Sequence, residues 1–375
     1  MAIVGPIAAN VAFVIEITLV PLLLPAIQQQ FGLTIGDLGW VFNSYGLAVA
    51  IGVLFGGWWG DAFHTNKVFG LGVALFAIGS LLVAAADSFD ALIMARILQG
   101  LGAGIFSPLV PLLLTRASPR KPGRMLIVWG SVAGYVAAFA PVLYGSILSE
   151  YSWTLAFILN AIIATIALVI LTGSTIAARP RNRPAAKRNY SELFRARDLW
   201  VAFLYVFCTY GTITYYLFRL PIWLSNNAVG EAGIGLVLSV VWLAFSILSA
   251  LLRNLVDKPH VRTIMLAAPL LILVALPALF YSWGLLPVLL SAVLIGAGLA
   301  CSNAPSTQMI LRFAPKGLSA VSTSLDITFA RFGGIATVAT LAATRPSHAA
   351  AALSILCLVA ACCALAAGRR LTATG

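Results

Sequence analysis

Charge is scarce in this chain: Asp, Glu, Lys and Arg make up 9% of its 375 residues, where a soluble domain carries about 25%. A soluble fold of this length could not cover itself with so little polar surface. Cysteine is scarce as well, with five residues in all. Cys208, Cys301, Cys357, Cys362 and Cys363 lie inside apolar runs without a CxxC pair, the pattern of small core residues rather than of disulfides or metal ligands. Signatures of catalysis are missing too. There is no HExxH, no Gly-x-Ser-x-Gly and no P-loop, and the three histidines, His64, His260 and His348, are not paired at ligand spacing. Gly100-x-Gly102-x-Gly104 sits inside an apolar run with no preceding strand, so it is not a nucleotide loop. An ATP-driven pump acting alone is excluded, an enzyme is not expected, and neither is a metal or cofactor.

What the chain has instead is apolar residues, 61% of the total. They fall in runs of about 20 residues joined by short polar segments, as expected of helices crossing a bilayer core ~30 Å thick. The alternating ~10-residue segments of an outer-membrane barrel are absent. The first run is longer than the core of a cleavable signal peptide. Twelve spans are predicted, over 5–28, 38–59, 67–86, 91–113, 125–147, 153–173, 199–221, 233–252, 263–281, 284–304, 319–341 and 348–367. The fold expected is an all-α membrane protein of two six-helix bundles, 1–173 and 199–375, joined by a basic linker at 174–198. That linker contains Arg179, Arg181, Arg183, Lys187, Arg188, Arg195 and Arg197.

The net charge of +12 does not indicate nucleic acid, because the basic residues sit in the joints. Placing both termini inside puts Lys67, Arg116, Arg120, Lys121, Arg124, the linker bases, Arg253, Lys258, Arg262, Arg312, Lys316, Arg369 and Arg370 in the cytoplasm. The outer loops then carry Arg345 alone, among Asp37, Asp87, Asp90, Glu150 and Glu231. This is the positive-inside pattern, and it predicts a multi-pass protein of the cell membrane with cytoplasmic termini. The basic linker reads as a topology and lipid-contact element. The bilayer, a small-molecule substrate and protons are the expected partners, with the monomer as the working unit.

The two halves echo each other. The joint after span 2 contains Gly57, Asp61, His64 and Lys67; the joint after span 8 contains Arg253, Asp257, Lys258, His260 and Arg262. Paired bundles related by a repeat are typical of carriers that rock around a midplane site. Further motifs carry a resemblance to a family. Glu16-Ile-Thr18 followed by Leu24-Pro25-Ala-Ile27, Trp40 and Tyr45 in span 2, Arg96-Ile-Leu-Gln99-Gly100, and Gly130, Gly134, Pro141 and Gly145 in span 5 resemble the drug:proton antiporter branches of the major facilitator superfamily. The joint motif is similar but degenerate, with Ala62 where a base is expected and His64 where glycine is. In span 5, Ala140 and Tyr144 replace glycines. The resemblance implies that Glu16 and Arg96 share a bundle and face a central cavity. It also implies that the span-5 motif acts in sealing and antiport direction.

Ionisable groups at bilayer depth are costly and tend to be functional. Five are predicted inside spans: Glu16, Arg96, Arg219, Asp326 and Arg331. Desolvation favours the neutral acid and a nearby cation favours the carboxylate, so Glu16 is the first candidate for proton coupling, tuned by Arg96; the alternative is a permanent ion pair. Asp326 is the second candidate. It shares a stripe of about 80° with Ser319, Ser322, Thr323 and Thr337, and Arg331 falls on another face. Tyr205, Thr209, Thr212, Tyr216 and Arg219 form a second stripe, which faces either a cavity or another helix. With Arg96, Gln99, Asn43 and Trp242, they are the candidate cavity residues. Gly52, Gly56 and Gly60, and Gly130 with Gly134, should let helices approach closely, and Pro141 should bend span 5. Gly57, Asp61, Lys67, Asp257, Lys258 and Arg262 are candidate gating residues. The reading is a secondary transporter, with proton-coupled efflux of small amphipathic or hydrophobic compounds first. An importer or facilitator is the alternative, and a receptor or scaffold is the alternative outside transport.

Overall fold

The computed structural model describes residues 3–62, 64–118, 120, 122–148, 150–172, 191–252, 261–280, 284–315 and 318–368. Among them there is no strand. The helices are α1 (Val4–Phe31), α2 (Ile35–Ala62), α3 (Thr65–Ala84), α4 (Phe89–Phe106), α5 (Leu109–Ala117), α6 (Pro122–Leu148) and α7 (Thr154–Thr172). They continue as α8 (Ser191–Arg195), α9 (Arg197–Asn226), α10 (Glu231–Leu252), α11 (Val261–Ala275), α12 (Leu285–Phe313), α13 (Ser319–Leu341) and α14 (Pro346–Gly368), with a 3₁₀ turn at Leu276–Leu279 after α11.

Each predicted span is matched, span 4 by α4 and α5 together. Within the described residues, eleven of these segments are long and apolar enough to cross a membrane. The twelfth, α13, has 23 residues, and Asp326, Arg331 and several Ser and Thr keep it out of that group. Outward-facing positions such as Met94, Ile127, Val169 and Val274 are exposed and apolar, a surface that needs lipid around it. Three boundaries differ from the sequence expectation. Span 4 breaks at Ser107-Pro108, since proline cannot donate to the helix ladder. The last part of the expected linker forms the short helix α8. Span 10 runs on to Phe313 rather than stopping near 304: its polar residues stay helical because Ser306 bonds the Asn303 carbonyl (3.1 Å) and Thr307 finds a partner on α13.

Local signals set the helix ends. Gly32 closes α1 in the left-handed conformation (φ 61°), its N–H on the Gln28 carbonyl. Thr34 then opens α2 through reciprocal bonds with Asp37: the Thr34 hydroxyl donates to the carboxylate (2.6 Å) and the Asp37 N–H donates to the Thr34 oxygen (3.2 Å).

The chain divides into two compact units, Met1–Asn182 with Leu224–Ser239, and Arg183–Trp223 with Val240–Gly375. In the first, α4 is wedged between α2 and α3. Its glycines make this close approach achievable. Gly100 and Gly104, one turn apart, lie against the α2 backbone, and Gly102 turns the other way onto α3. A Cβ on Gly104 would come within 2.4 Å of the Val49 carbonyl oxygen, and one on Gly102 within 2.3 Å of the Phe76 nitrogen. Phe106 closes this core, its ring edge-on to Phe13, Phe69 and Phe76. The first unit also holds the meeting of α6 with the start of α10. There a Cβ on Gly235 would fall 2.2 Å from the Pro141 carbonyl oxygen, and the Val142 N–H donates to Ser239 Oγ at 3.0 Å. Gly130 behaves otherwise than expected. Nothing lies within 4 Å of its Cβ position, so no close helix approach is made there.

In the second unit, α11 packs on α12 and α14, and α12 on α13. Phe203 of α9 stacks on Phe329 of α13 with centroids 4.9 Å apart. A Cβ on Gly333 of α13 would fall 2.2 Å from the Phe207 carbonyl oxygen.

Two predictions follow from this packing. Gly102→Val forces backbone apart and should lower stability by ~3 kcal/mol, seen as a reduced melting temperature of the detergent-purified protein. Gly130→Ala should leave that temperature unchanged; equal melting of the two variants would contradict the packing. Ser239→Ala strands the Val142 N–H and should cost about 1 kcal/mol in the same assay, and no loss would mean that this bond carries no stability.

Candidate functional site

Four helices of the first unit place polar side chains at one buried point. Glu16 is midway along α1, in a face otherwise made of Ala9, Ala12, Leu19 and Leu23. Arg96 and Gln99, one turn apart on α4, reach it from the wedge helix. Asn160 comes from α7 and Ser80 from α3. Glu16 is 2% exposed and Arg96 1%, and Ser80, Gln99 and Asn160 are equally enclosed.

The carboxylate is fully engaged. Arg96 Nη1 forms an ion pair with Oε1. On Oε2, the Gln99 amide donates at 2.8 Å and the Asn160 amide at 3.1 Å. Gln99 ties the group together: its carbonyl oxygen accepts from Arg96 Nη1 (2.7 Å) and its amide donates to Ser80 Oγ (2.9 Å). Arg96 Nε donates to the Val41 carbonyl of α2 at 3.3 Å, and its guanidinium stands 4.4 Å above the Tyr45 ring, a cation–π contact. Every partner of Glu16 is a hydrogen-bond donor, and one of them is a cation, so the arrangement is complementary to the ionised acid. Within the described residues this is the sole Lys or Arg ion pair with an acid.

The structure brings Glu16, Arg96 and Gln99 together, Glu16 and Arg96 within one bundle as the resemblance implied, and buries all three. Asn43 is likewise buried on α2. The α9 stripe points inward at the expected angle, and its hydroxyls are engaged in helix packing. Tyr205 donates to the Met265 carbonyl (2.8 Å), Thr209 pairs with Ser302 (3.2 Å), Thr212 bonds the Cys208 carbonyl (3.0 Å) and Tyr216 pairs with Ser291. Arg219, further along α9, is half-buried, with Nη1 shielded from solvent and no hydrogen-bond partner among the described residues. Trp242 is half-buried, edge-on to Phe245. Asp326 is buried on α13 and accepts from Thr307 Oγ1 of α12 at 2.6 Å.

Of the gating candidates, Lys67 and His64 are exposed and line a shallow surface hollow with Trp59, Val68 and Leu71. Arg262 is half-buried at the start of α11. Asp257 and Lys258, with His260, lie outside the described residues, as do the surroundings of Gly57 and the side chain of Asp61. In span 5, Pro141 and Gly145 make the contact with α10, Gly134 is half-buried and Gly130 faces open space.

Sequence reasoning missed Asn160, Ser80, Ser239 and Thr307. Asn160 had a signal, a lone amide in an otherwise apolar run, and intramembrane amides find hydrogen bonds on other helices. The hydroxyls had none, since Ser and Thr also satisfy themselves on their own helix, as Ser80 does with the Phe76 carbonyl (2.8 Å).

Comparison with known proteins agrees with this architecture. The chain is similar to solved structures of the nucleoside transporter NupG (TM-score 0.82, 12% identity, 98% of this chain and 99% of that one) and of a D-xylose-proton symporter (TM-score 0.81, 17% identity, 98% and 96%). Among curated proteins it is 32% identical over 185 residues to a multidrug resistance protein B homolog of Mycobacterium tuberculosis, covering 49% of this chain and 34% of the relative. It is 31% identical over 173 residues to the tetracenomycin C resistance and export protein of Streptomyces glaucescens, covering 45% and 32%. The chain thus spans about a third of the length of these relatives. The family model of the Major Facilitator Superfamily matches residues 7–338. With that match over most of its length, on a chain of apolar helices, the protein belongs to the Major Facilitator Superfamily.

Proposed function

We propose that the protein is a proton-coupled exporter of small amphipathic or hydrophobic organic compounds, and that Glu16 is the group that takes up and releases the coupling proton. The observation that carries this reading is the enclosed Glu16–Arg96 pair with Gln99, Asn160 and Ser80 around it. Withdrawing two charges from water costs on the order of several kcal/mol per ion, and a buried pair is a poor source of stability compared with apolar packing. The helices around it are already held by glycine contacts, so its retention is better accounted for by work than by scaffolding.

The chemistry suits a proton switch. With Glu16 ionised, Arg96 is held between the carboxylate, the Gln99 carbonyl and the Val41 carbonyl. A proton on Glu16 removes the attraction to Arg96 and leaves the Gln99 and Asn160 amides facing an acid that they fit less well. Arg96 is then released from Glu16 while its contacts to Val41 and Tyr45 on α2 remain. Protonation is in this way coupled to the α2–α4 contact, which is the kind of two-state element that alternating access requires.

Export of organic compounds is supported by the drug-resistance and export proteins among the relatives and by the aromatic and hydroxyl-rich, charge-poor interior. The basic joints favour cytoplasmic termini.

Proteoliposomes with an imposed pH gradient, loaded with ethidium as probe and pyranine as proton reporter, test this. Wild-type protein should move ethidium against its gradient with counterflow of protons, and Glu16→Gln should abolish gradient-driven movement while remaining folded by melting temperature. Unaltered gradient-driven transport in Glu16→Gln would sink the assignment. Gradient-independent equilibration would indicate a facilitator, and no flux a non-transporting protein. Arg96→Lys provides a second check. A lysine cannot bridge Glu16, Gln99 and Val41 at once, so the pH profile of transport should shift, and an unchanged profile would argue against Arg96 tuning the site.

A further inference from the structure

The second unit buries an acid that the mechanism above leaves unused. Asp326 is enclosed on α13, and what surrounds it differs in kind from the surroundings of Glu16. Its Oδ2 accepts from a hydroxyl, Thr307 Oγ1 at 2.6 Å, where Glu16 meets a guanidinium and two amides. One helical turn before Asp326 is Ser322, which is completely buried and whose Oγ has no hydrogen-bond partner. Residues four apart on a helix are neighbours on one face, and side chains lean toward the N-terminal turn, so the Asp326 side chain projects over Ser322. Tyr210 of α9 is within electrostatic reach of both Asp326 and Arg331; among the described residues these are the titratable and charged groups around the site.

We propose that Asp326, Thr307 and Ser322 form a second proton-carrying site, so that each transport cycle moves two protons, one on each unit. The inference rests on the proton-coupled reading and extends it. A hydroxyl both donates and accepts, whereas guanidinium and amide N–H groups only donate. The ionised Asp326 is served by the Thr307 O–H on Oδ2. When a proton is taken from water onto Oδ1, the new O–H needs an acceptor, and Ser322 Oγ is the unused one within a turn. Protonation of Asp326 therefore breaks no ion pair, and the unpartnered Ser322 leaves an acceptor free for the new O–H. Where Glu16 must part from Arg96 to change state, Asp326 has no ion pair to part from and needs only a side-chain turn that brings Oδ1 onto Ser322. Asp326 is the eighth residue of α13, ~10 Å along the axis at 1.5 Å per residue, from the end that the charge pattern assigns to the cytoplasm.

Two measurements test this. In proteoliposomes, the ethidium gradient sustained at each imposed pH gradient gives the proton stoichiometry as a slope. The slope should fall from two to one in Asp326→Asn, a substitution that keeps the Thr307 bond. If wild type sustains no gradient, the proton-coupled reading fails and this site with it. If wild type and Asp326→Asn show the same slope, the second site alone is overturned. Independently of any substrate, infrared titration of the protein in lipid vesicles should show a protonated-carboxyl stretching band that Asp326→Asn removes. Ser322→Ala, which keeps the acid, should shift that band and its titration midpoint. A band spectrum identical in wild type, Asp326→Asn and Ser322→Ala would also overturn the proposal.

Discussion

Lipid offers helices no hydrophobic reason to associate, so contact between them has to come from close backbone approach and from hydrogen bonds. In this protein that constraint converges on α4. Its three alternate glycines point to two different neighbours, Gly100 and Gly104 to α2 and Gly102 to α3, and bring both backbones to within the width of a missing methyl group. The same helix carries Arg96 and Gln99 just before those glycines. The close packing fixes where the guanidinium sits, and thereby which carbonyl, ring and carboxylate it can reach. Site and scaffold are one element.

The polar interior is organised by type of partner. Around Glu16 the partners are N–H groups, the Arg96 guanidinium and the amides of Gln99 and Asn160, all donating to the carboxylate. Around Asp326, and for Thr209 and Tyr216 of α9, they are hydroxyls, Thr307, Ser302 and Ser291, which serve either as donor or as acceptor. Hydroxyl-lined helix contacts tolerate small slides, because a rotated O–H recovers its bond at little cost. A guanidinium–carboxylate pair does not.

The sequence made some of this plain and concealed the rest, for physical reasons. Glu16 and Arg96 stood out because an unneutralised charge in an apolar run is so costly that a partner is almost required. Their partnership needed only shared depth on helices of one bundle. Asn160 and Ser80 did not stand out, because an amide or hydroxyl in lipid is cheap enough to have many explanations. The angle of the α9 stripe could be read from spacing, yet what lay opposite could not, and it proved to be α11 and α12 rather than open space. The Gly-x-Gly-x-Gly run was legible as packing in general, but that it faces two ways depends on three helices meeting. Gly130 was misread because the small-residue pattern carries no information on whether a neighbour is present. Pro108 splits span 4 in two, though proline inside α1 and α6 leaves those helices continuous.

The order of the four contributing helices along the chain bears on how the protein is made. Glu16 lies on α1, and the helices bearing Ser80 and Arg96 follow it in the chain. The most expensive side chain in the membrane, the arginine of α4, thus enters the bilayer when its counter-ion is already there, and the slot between α2 and α3 that receives its glycines has just been completed. Asn160 arrives two spans later and closes the cluster from the far side. Membrane insertion of Arg96 is in this sense templated by the chain that precedes it.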